Sequence, residues 1–193
     1  YGLVGSEMCI RDSLNPVKLT LTNYEGEEEL DFDVNPTDEN AGKRKVKFGK
    51  HLYIDGADFS LNPPPKYFRL KKDGYVRLKN AYIVHCDDVL PGSDGAVKEL
   101  LCSYVPASHS GSDTSGIKVK GVIQWVNADG CADAEVRQYE SLLRDADYAG
   151  QDFSERMNAE SEKIVPAKAE PYVAQAEEGR NFQLLRTGYY KKC

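Results

Sequence analysis

Basic side chains are the residues of this sequence whose types and spacing best suit a chemical task, because they are grouped although the chain carries a formal net charge of −6 at pH 7. The groups fall within residues 43–50, 69–79 and 118–120. Lysine and arginine bind phosphate oxygens, and the planar arginine side chain can donate two parallel hydrogen bonds to one acceptor group. Indiscriminate coating of nucleic acid needs many phosphate contacts, and the net negative charge argues against it. Selective binding stays open, as does the commoner explanation of a charge run, a solvated face.

Residue types found in metal sites and active sites are present, but not in arrangements that could act together. Residues 85–88 read His-Cys-Asp-Asp on a predicted strand, where successive side chains point to opposite faces and cannot converge on one ion. The five cysteines form no Cys-x-x-Cys pair, so we predict reduced thiols. The sequence has no phosphate loop, dinucleotide fingerprint, Gly-x-Ser-x-Gly elbow or histidine pair at helical spacing. We therefore predict no catalytic residue, no metal site and no cofactor in this chain.

Short strands are the elements that must position the basic groups. Residues 17–22 alternate apolar and polar side chains, and strand-sized runs recur between turns rich in Asn, Pro, Gly and Asp. Further predicted strands cover residues 46–48, 52–55, 67–70, 76–84, 97–104, 118–126 and 182–185. Residues 134–144 have apolar side chains at near-helical spacing and predict a short helix, whereas residues 145–176 predict loops and single turns. This pattern indicates a mainly all-β barrel or sandwich with one or two short helices.

The length of 193 residues allows two small domains. The Ser-, Gly- and Asp-rich stretch 108–116 is the best boundary, so we predict units at residues 14–117 and 118–193. No apolar run reaches the roughly 18 residues that a membrane helix needs, and residues 1–13 lack the basic start and apolar middle of a secretory signal. We expect no membrane contact and a cytoplasmic location.

Four stretches of the sequence together resemble the glutaminyl-tRNA synthetase family. They are residues 52–59 (LYIDGADF), 75–82 (YVRLKNAY), 118–126 (KVKGVIQWV) and 179–190 (GRNFQLLRTGYY). Their order and spacing fit the family's C-terminal region from residue 14 to the end of the chain. The resemblance implies two β-barrels in tandem, like those of ribosomal five-S-RNA-binding proteins, that grip the anticodon arm of glutamine tRNA and bind no DNA. It also implies a separate domain, missing from this chain, that uses ATP with Mg to join glutamine to tRNA, so this fragment should be inactive alone and the whole enzyme monomeric.

The resemblance assigns a group of first-barrel residues to the anticodon. Arg69 falls where the family has an arginine at the third anticodon base, and a guanidinium suits the acceptors of guanine. Lys66 and Phe68 flank it where bacterial members tend to have glutamine and lysine, and Phe68 could stack on a base. Arg77 and Lys79 match an arginine pair near the first base, although lysine lacks the bidentate fork.

The resemblance also assigns second-barrel residues and the ends of the chain. Gln183 and Arg186 match the pair that approaches the middle base, because glutamine offers uracil both a donor and an acceptor; a polar pair at a strand edge is an equally good explanation. Trp125, together with Tyr24, Tyr53 and Tyr82, is predicted to pack in the core. Residues 1–13 do not match the family's lead-in, and residues 2–9 (GLVGSEMC) read like a translated vector scar. At Cys193 the second barrel is predicted to be truncated.

Three alternatives remain at the level of sequence. A eukaryotic-type glutamyl-tRNA synthetase shares these barrels, but residues 120–125 (KGVIQW) favour the glutamine enzyme. A ribosomal RNA-binding β-barrel protein would not need the motif at residues 182–190. A barrel that serves only as a protein-interaction module would lack affinity for RNA at low salt.

Overall fold

A computed structural model describes residues 8–10, 12–35, 38–93, 95–144, 152–184 and 188–193, and most of them lie in β-strands. The strands are β1 Met8–Ile10, β2 Asp12–Ser13, β3 Pro16–Leu21, β4 Glu28–Asp33, β5 Lys43–Phe48, β6 His51–Asp55, β7 Phe59–Ser60, β8 Leu70–Lys71, β9 Tyr75–Leu78, β10 Ile83–Pro91, β11 Val97–Tyr104, β12 Val122–Ile123, β13 Val126–Asn127, β14 Ala132–Tyr139, β15 Glu162–Ala169, β16 Asn181–Leu184 and β17 Gly188–Lys191. The helices are α1 Phe153–Arg156 and α2 Pro171–Gln175, with single 3-10 turns at Glu39–Ala41, Gly56–Asp58 and Pro106–Ser108. The prediction of a mainly all-β fold is confirmed.

A seven-stranded sheet in the order β12-β9-β10-β11-β3-β6-β13 forms the first unit. Its alternating side chains follow the sequence pattern: in β3 every second residue, from Val17 to Leu21, is buried. The sheet curls so far that one short segment, residues 122–127, pairs with β9 at one edge and with β6 at the other. This segment lies beyond the predicted domain boundary at residue 117, so a piece of chain from the predicted second domain joins both edges of the first sheet.

Aromatic rings fill the interior of this curled sheet. Trp125 is completely buried, donates its indole N–H to the carbonyl of Lys79 at 2.9 Å and meets the ring of Phe48 edge-on at 5.0 Å. The prediction that Trp125 is a core residue is confirmed. Tyr24 and Tyr82 also pack here, and both phenols donate to the carboxylate of Glu28, at 3.0 and 3.2 Å. Tyr53 lies instead on the outer face, beneath the ammonium of Lys168.

Two three-stranded sheets form the second unit, β14-β15-β2 and β1-β16-β17, and a cleft lies between them. Residues 8–10 and 12–13, from the segment predicted not to match the family, supply an edge strand to each of these sheets. Phe182 and Leu184 of β16 form a small core with Leu14 and Val173. No helix in the described part of the chain has the length and apolar character to cross a bilayer.

The helix predicted at residues 134–144 is wrong, because β14 occupies Ala132–Tyr139 and pairs along its whole length with β15. Two of the apolar residues that suggested a helix are exposed, Tyr139 to 72% and Leu142 to 52%. The loops predicted for residues 145–176 are also wrong where β15 lies. A neighbouring strand offers eight residues a continuous ladder, and this outweighs the weak local preference for helix.

A buried ion pair joins the two units. Arg44 of β5 donates from Nε and Nη2 to the two carboxylate oxygens of Glu170, both at 3.0 Å, and Glu170 stands just before α2. The two side chains are only 12% and 3% exposed. A bidentate pair this far from water fixes the β4–β5 hairpin against the second unit, since separating the charges would leave one of them buried and uncompensated.

The Arg44–Glu170 pair predicts a large effect for Glu170→Gln. Loss of the carboxylate strands a buried guanidinium, so the free energy of unfolding should fall by about 3–5 kcal/mol in urea titrations followed by circular dichroism. Glu162→Gln is the matched control, because Glu162 pairs with the exposed Arg137 and its loss should cost under about 1 kcal/mol. Equal, small losses in both variants would mean that the buried pair does not hold the units together.

The Tyr82–Glu28 contact predicts a loss of stability at high pH. Burial and then the hydrogen bond to Glu28 raise the pKa of Tyr82 to about 12. The folded chain therefore holds this proton more tightly than the unfolded chain, whose tyrosines titrate near about 10. The stabilisation is complete below about pH 10 and is lost as the pH rises towards 12. Tyr82→Phe should unfold with a shallower pH dependence over this range than the parent chain, and Tyr139→Phe, altered at an exposed ring, should match the parent.

Candidate nucleic-acid interface

The loop of residues 61–69 carries three of the predicted site residues on the surface of the first unit. It starts after β7 and ends before β8, and these two strands pair in parallel, Phe59 with Leu70 and Ser60 with Lys71. The short pairing brings the two ends of the loop together, so its residues project as one rim. Lys66, Phe68 and Arg69 are all exposed on it.

Arg69 is held by one hydrogen bond and one ion pair. Its Nε lies 3.2 Å from the carboxylate of Asp58, and its Nη1 donates to the carbonyl of Ala57 at 2.8 Å. The Arg69 side chain is 43% exposed, whereas Asp58 is 8% exposed. The guanidinium is therefore anchored to the Gly56–Asp58 turn through Nε and Nη1, and its exposed remainder faces solvent.

Phe68 lies beside a second cation from a distant part of the sequence. Its ring is 49% exposed, and the ammonium of Lys120 lies 5.2 Å from the ring centroid. The approach depends on Gly121, because a Cβ at that position would overlap the carbonyl oxygen of Phe68. The absence of a side chain at residue 121 lets the chain run against the loop and brings Lys120 to its rim.

Arg77 lies on β9 and Lys79 directly follows this strand, and both are next to residues 121–123. The amides of Arg77 and Lys79 donate to the carbonyls of Gly121 and Ile123, at 3.1 and 3.0 Å. The Arg77 guanidinium is only 19% exposed; it donates to the carbonyl of Ser108 at 2.7 Å and pairs with the carboxylate of Asp113. Hydrogen bonds from Ser115 and then the contact with Arg77 hold the pKa of Asp113 below its usual range.

The two second-barrel residues lie elsewhere. Gln183 is on β16, in the β1-β16-β17 sheet, and its amide donates to the hydroxyl of Tyr189 on β17 at 3.4 Å. Arg186 falls outside the described residues. The structure thus groups Lys66, Phe68 and Arg69 on one loop, places Arg77 and Lys79 on the adjoining strand, and puts Gln183 on a separate sheet.

Sequence reasoning did not assign two residues of this surface, Lys120 and Asp58. Lys120 belonged to the third basic group, and that charge run was the available signal. Asp58 lay inside the motif at residues 52–59, but nothing in the sequence indicated that its carboxylate reaches Arg69. Within the described ranges no three His, Cys, Asp or Glu side chains are grouped so that they could hold a metal ion.

Comparison with known families assigns nearly the whole chain. The family model described as "tRNA synthetases class I (E and Q), anti-codon binding domain" matches residues 7–105, and a second model of the same description matches residues 122–192. Proteins named glutamine–tRNA ligase are similar in sequence: 45% identity to that of Clostridium perfringens over 92% of this chain, 44% to that of Rhodopirellula baltica over 92%, and 40% to that of Pseudomonas aeruginosa over 95%. The chain spans 33%, 30% and 33% of these relatives, about a third of their length.

The close approach at Gly121 predicts that Gly121→Ala damages this surface. The new methyl group must displace the Phe68 carbonyl or the strand that follows, so the free energy of unfolding should fall by about 3 kcal/mol. Gly130→Ala is the control, since a Cβ there meets nothing within 4 Å, and its effect should stay within about 0.5 kcal/mol. Urea unfolding measures both, and a Gly121→Ala chain as stable as the control would contradict the packing described for Phe68.

Proposed function

The chain belongs to the anticodon-binding family of the class I glutamate and glutamine tRNA synthetases, and on this premise we propose that it reads the anticodon loop of glutamine tRNA. The family resemblance predicted from the four motifs is confirmed. The family description covers enzymes for both amino acids, and the three relatives named above are glutamine–tRNA ligases, which supports glutamine. The observation that carries the proposal is the rim formed by Phe68, Arg69 and Lys120.

The rim has the parts that single-stranded RNA recognition needs. Unstacked bases are recognised by stacking on aromatic rings and by hydrogen bonds along their edges. Phe68 offers a half-exposed ring, with Lys120 against it to meet a phosphate. Arg69 offers a guanidinium that is anchored at Nε and Nη1, so its exposed part meets an incoming base from a restricted position.

We assign the anticodon bases to these groups in the order that the family motifs imply. Arg69 contacts the third base, with Phe68 stacking and Lys66 at the rim. Lys79 and Arg77 face the first base; because Arg77 already binds Ser108 and Asp113, its contribution is to shape this surface and to add positive charge. Gln183, together with Arg186, takes the middle base, where the amide supplies a donor and an acceptor to uracil.

The chemistry of the whole protein is assigned to the part beyond this chain. We propose that the full-length protein is a glutamine–tRNA ligase that uses ATP with Mg in a separate domain and acts as a monomer in the cytoplasm. In that scheme this chain contributes no catalytic residue. It supplies the affinity and the base preference that select the tRNA.

The proposal predicts that base preference depends on the shape of the Arg69 side chain. Titration of the chain at fixed salt against the glutamine-tRNA anticodon stem-loop, and against loops with one base changed, should show tightest binding to the cognate loop. Arg69→Lys keeps the charge but loses the planar fork, so discrimination at the third base should fall by about 1–3 kcal/mol. Arg137→Lys, at an exposed guanidinium paired with Glu135 and Glu162, is the matched control and should leave discrimination unchanged.

Two results would contradict the proposal in different ways. Equal weakening for every loop in Arg69→Lys would make Arg69 a phosphate contact rather than a base reader, because phosphate contacts carry no sequence information. Equal binding of all loops by the parent chain would remove anticodon reading from this chain altogether.

A further inference from the structure

Asp58 is a buried carboxylate at the edge of the proposed interface, and it has no part in the assignment above. Its side chain is 8% exposed, and its Oδ1 lies 3.2 Å from Nε of Arg69. A buried carboxylate is costly unless a cation or hydrogen bonds compensate it. Arg69 is such a cation, so the two residues form a mixed pair with one member inside the protein and the other at the surface.

The backbone brings this pair together. Phe59 and Leu70 are opposite each other in the parallel pairing of β7 with β8, and Asp58 and Arg69 are the residues immediately before them. The pair therefore lies one residue before the first paired position of β7 and β8, next to the end of the 61–69 loop.

The Gly56–Asp58 turn, which carries Asp58, is also fixed in place. Asp55 caps the Gly56–Asp58 turn by accepting from the amide of Ala57 at 2.9 Å, and the amide of Gly56 donates to the carbonyl of Asn15 at 2.8 Å. The turn that carries both the Asp58 carboxylate and the Ala57 carbonyl is thus hydrogen-bonded to Asn15, the residue directly before β3. Arg69 donates from Nη1 to the Ala57 carbonyl and has its Nε 3.2 Å from the Asp58 carboxylate, so rotation of its guanidinium plane would disturb the hydrogen bond or the ion pair.

We propose that Asp58 is the positioning residue of Arg69: its carboxylate sets the plane of the guanidinium, and this plane determines which base Arg69 can read. The inference rests on the proposed function for its consequence in RNA binding, and on the structure alone for the immobilisation of Arg69. A side chain held in its binding orientation loses less freedom when the base arrives, and it disfavours bases whose acceptors do not match.

Asp58→Asn tests the inference with little change in volume. The uncharged amide should hold Arg69 less firmly, so preference for the cognate third base should fall about tenfold, with the preference at the first base unchanged. Asp113→Asn is the matched control, because it removes the carboxylate from a different interface arginine, Arg77, and should leave the third-base preference intact. Circular dichroism establishes that each variant is folded; if Asp58→Asn is not, Asp58→Glu moves the same charge by one methylene and takes its place.

A double-variant comparison separates positioning from general support. If Asp58 acts through Arg69, then adding Asp58→Asn to Arg69→Lys should lower third-base discrimination no further. Additive losses, or full third-base preference in a folded Asp58→Asn chain, would overturn the inference.

The immobilisation can be measured without RNA. The Nε–Hε resonance of Arg69 in a ¹H–¹⁵N spectrum should be sharp in the parent chain and broadened in Asp58→Asn; no difference would also overturn the inference. A parent chain that binds all loops equally would contradict the proposed function instead, and the resonance would still report whether Asp58 holds Arg69.

Discussion

Bridging of the curled sheet by residues 122–127 is the constraint on which the rest of the structure depends. The segment pairs with β9 and with β6, and it places Trp125 at the centre of the aromatic core. The residues just before it inherit their position from this pairing, because Gly121 must pass the Phe68 carbonyl to reach β9. The interior of the barrel and the rim of the proposed RNA surface are therefore set by the same few residues.

Two buried carboxylates show how the fold uses charge. Glu170 is fully engaged with Arg44, and both members of that pair are removed from water. Asp58 is also buried, at 8% exposure, but the side chain of its arginine is 43% exposed. The first arrangement suits a permanent joint between units, whereas the second leaves one cation anchored yet able to meet a ligand. Exposed pairs such as Lys45 with Asp31 are screened by water, so they neither hold the two units together nor fix a side chain for binding.

The sequence was most informative where a strand has one buried face. Alternation predicted β3, and strand-sized runs predicted β6 and β11. Residues 76–84 were predicted as one strand, whereas the structure divides them between β9 and β10. The rule that successive strand residues face opposite sides holds at His85 and Cys86, because Cys86 lies in the core and His85 is only partly buried. The sequence pattern failed at β14, where apolar spacing fits a helix and a strand about equally well, and at β15, whose sequence EKIVPAKA is rich in charge. In each case the pairing partner decided the structure.

The residues of the proposed site also fall into those that the sequence predicted and those that it did not. Family motifs predicted Arg69 and its neighbours as candidates, because residue types in register survive in a linear sequence. The partners Asp58 and Lys120 were not assigned, because their contacts arise from a two-residue parallel pairing and from a close approach at a glycine. Neither of these two contacts is indicated by the residues next to it in the sequence. Asp113 likewise reaches Arg77 across a sequence separation of 36 residues.

The pairing of strands distant in sequence also governs how such a chain can acquire its structure. β3 lies between β11 and β6, and among the described strands β12 and β13 pair with the edge strands β9 and β6. Contacts between remote segments require large loops to close before any ladder energy is gained, which slows folding. During synthesis the half-formed sheet must wait, with unpaired strand edges, until residue 127 has left the ribosome, and β1 must wait for β16 near the other end. Open strand edges are sites where chains associate wrongly. Pairing of residues 122–127 covers the β9 and β6 edges of the first sheet, and so it removes the two edges at which this sheet could aggregate.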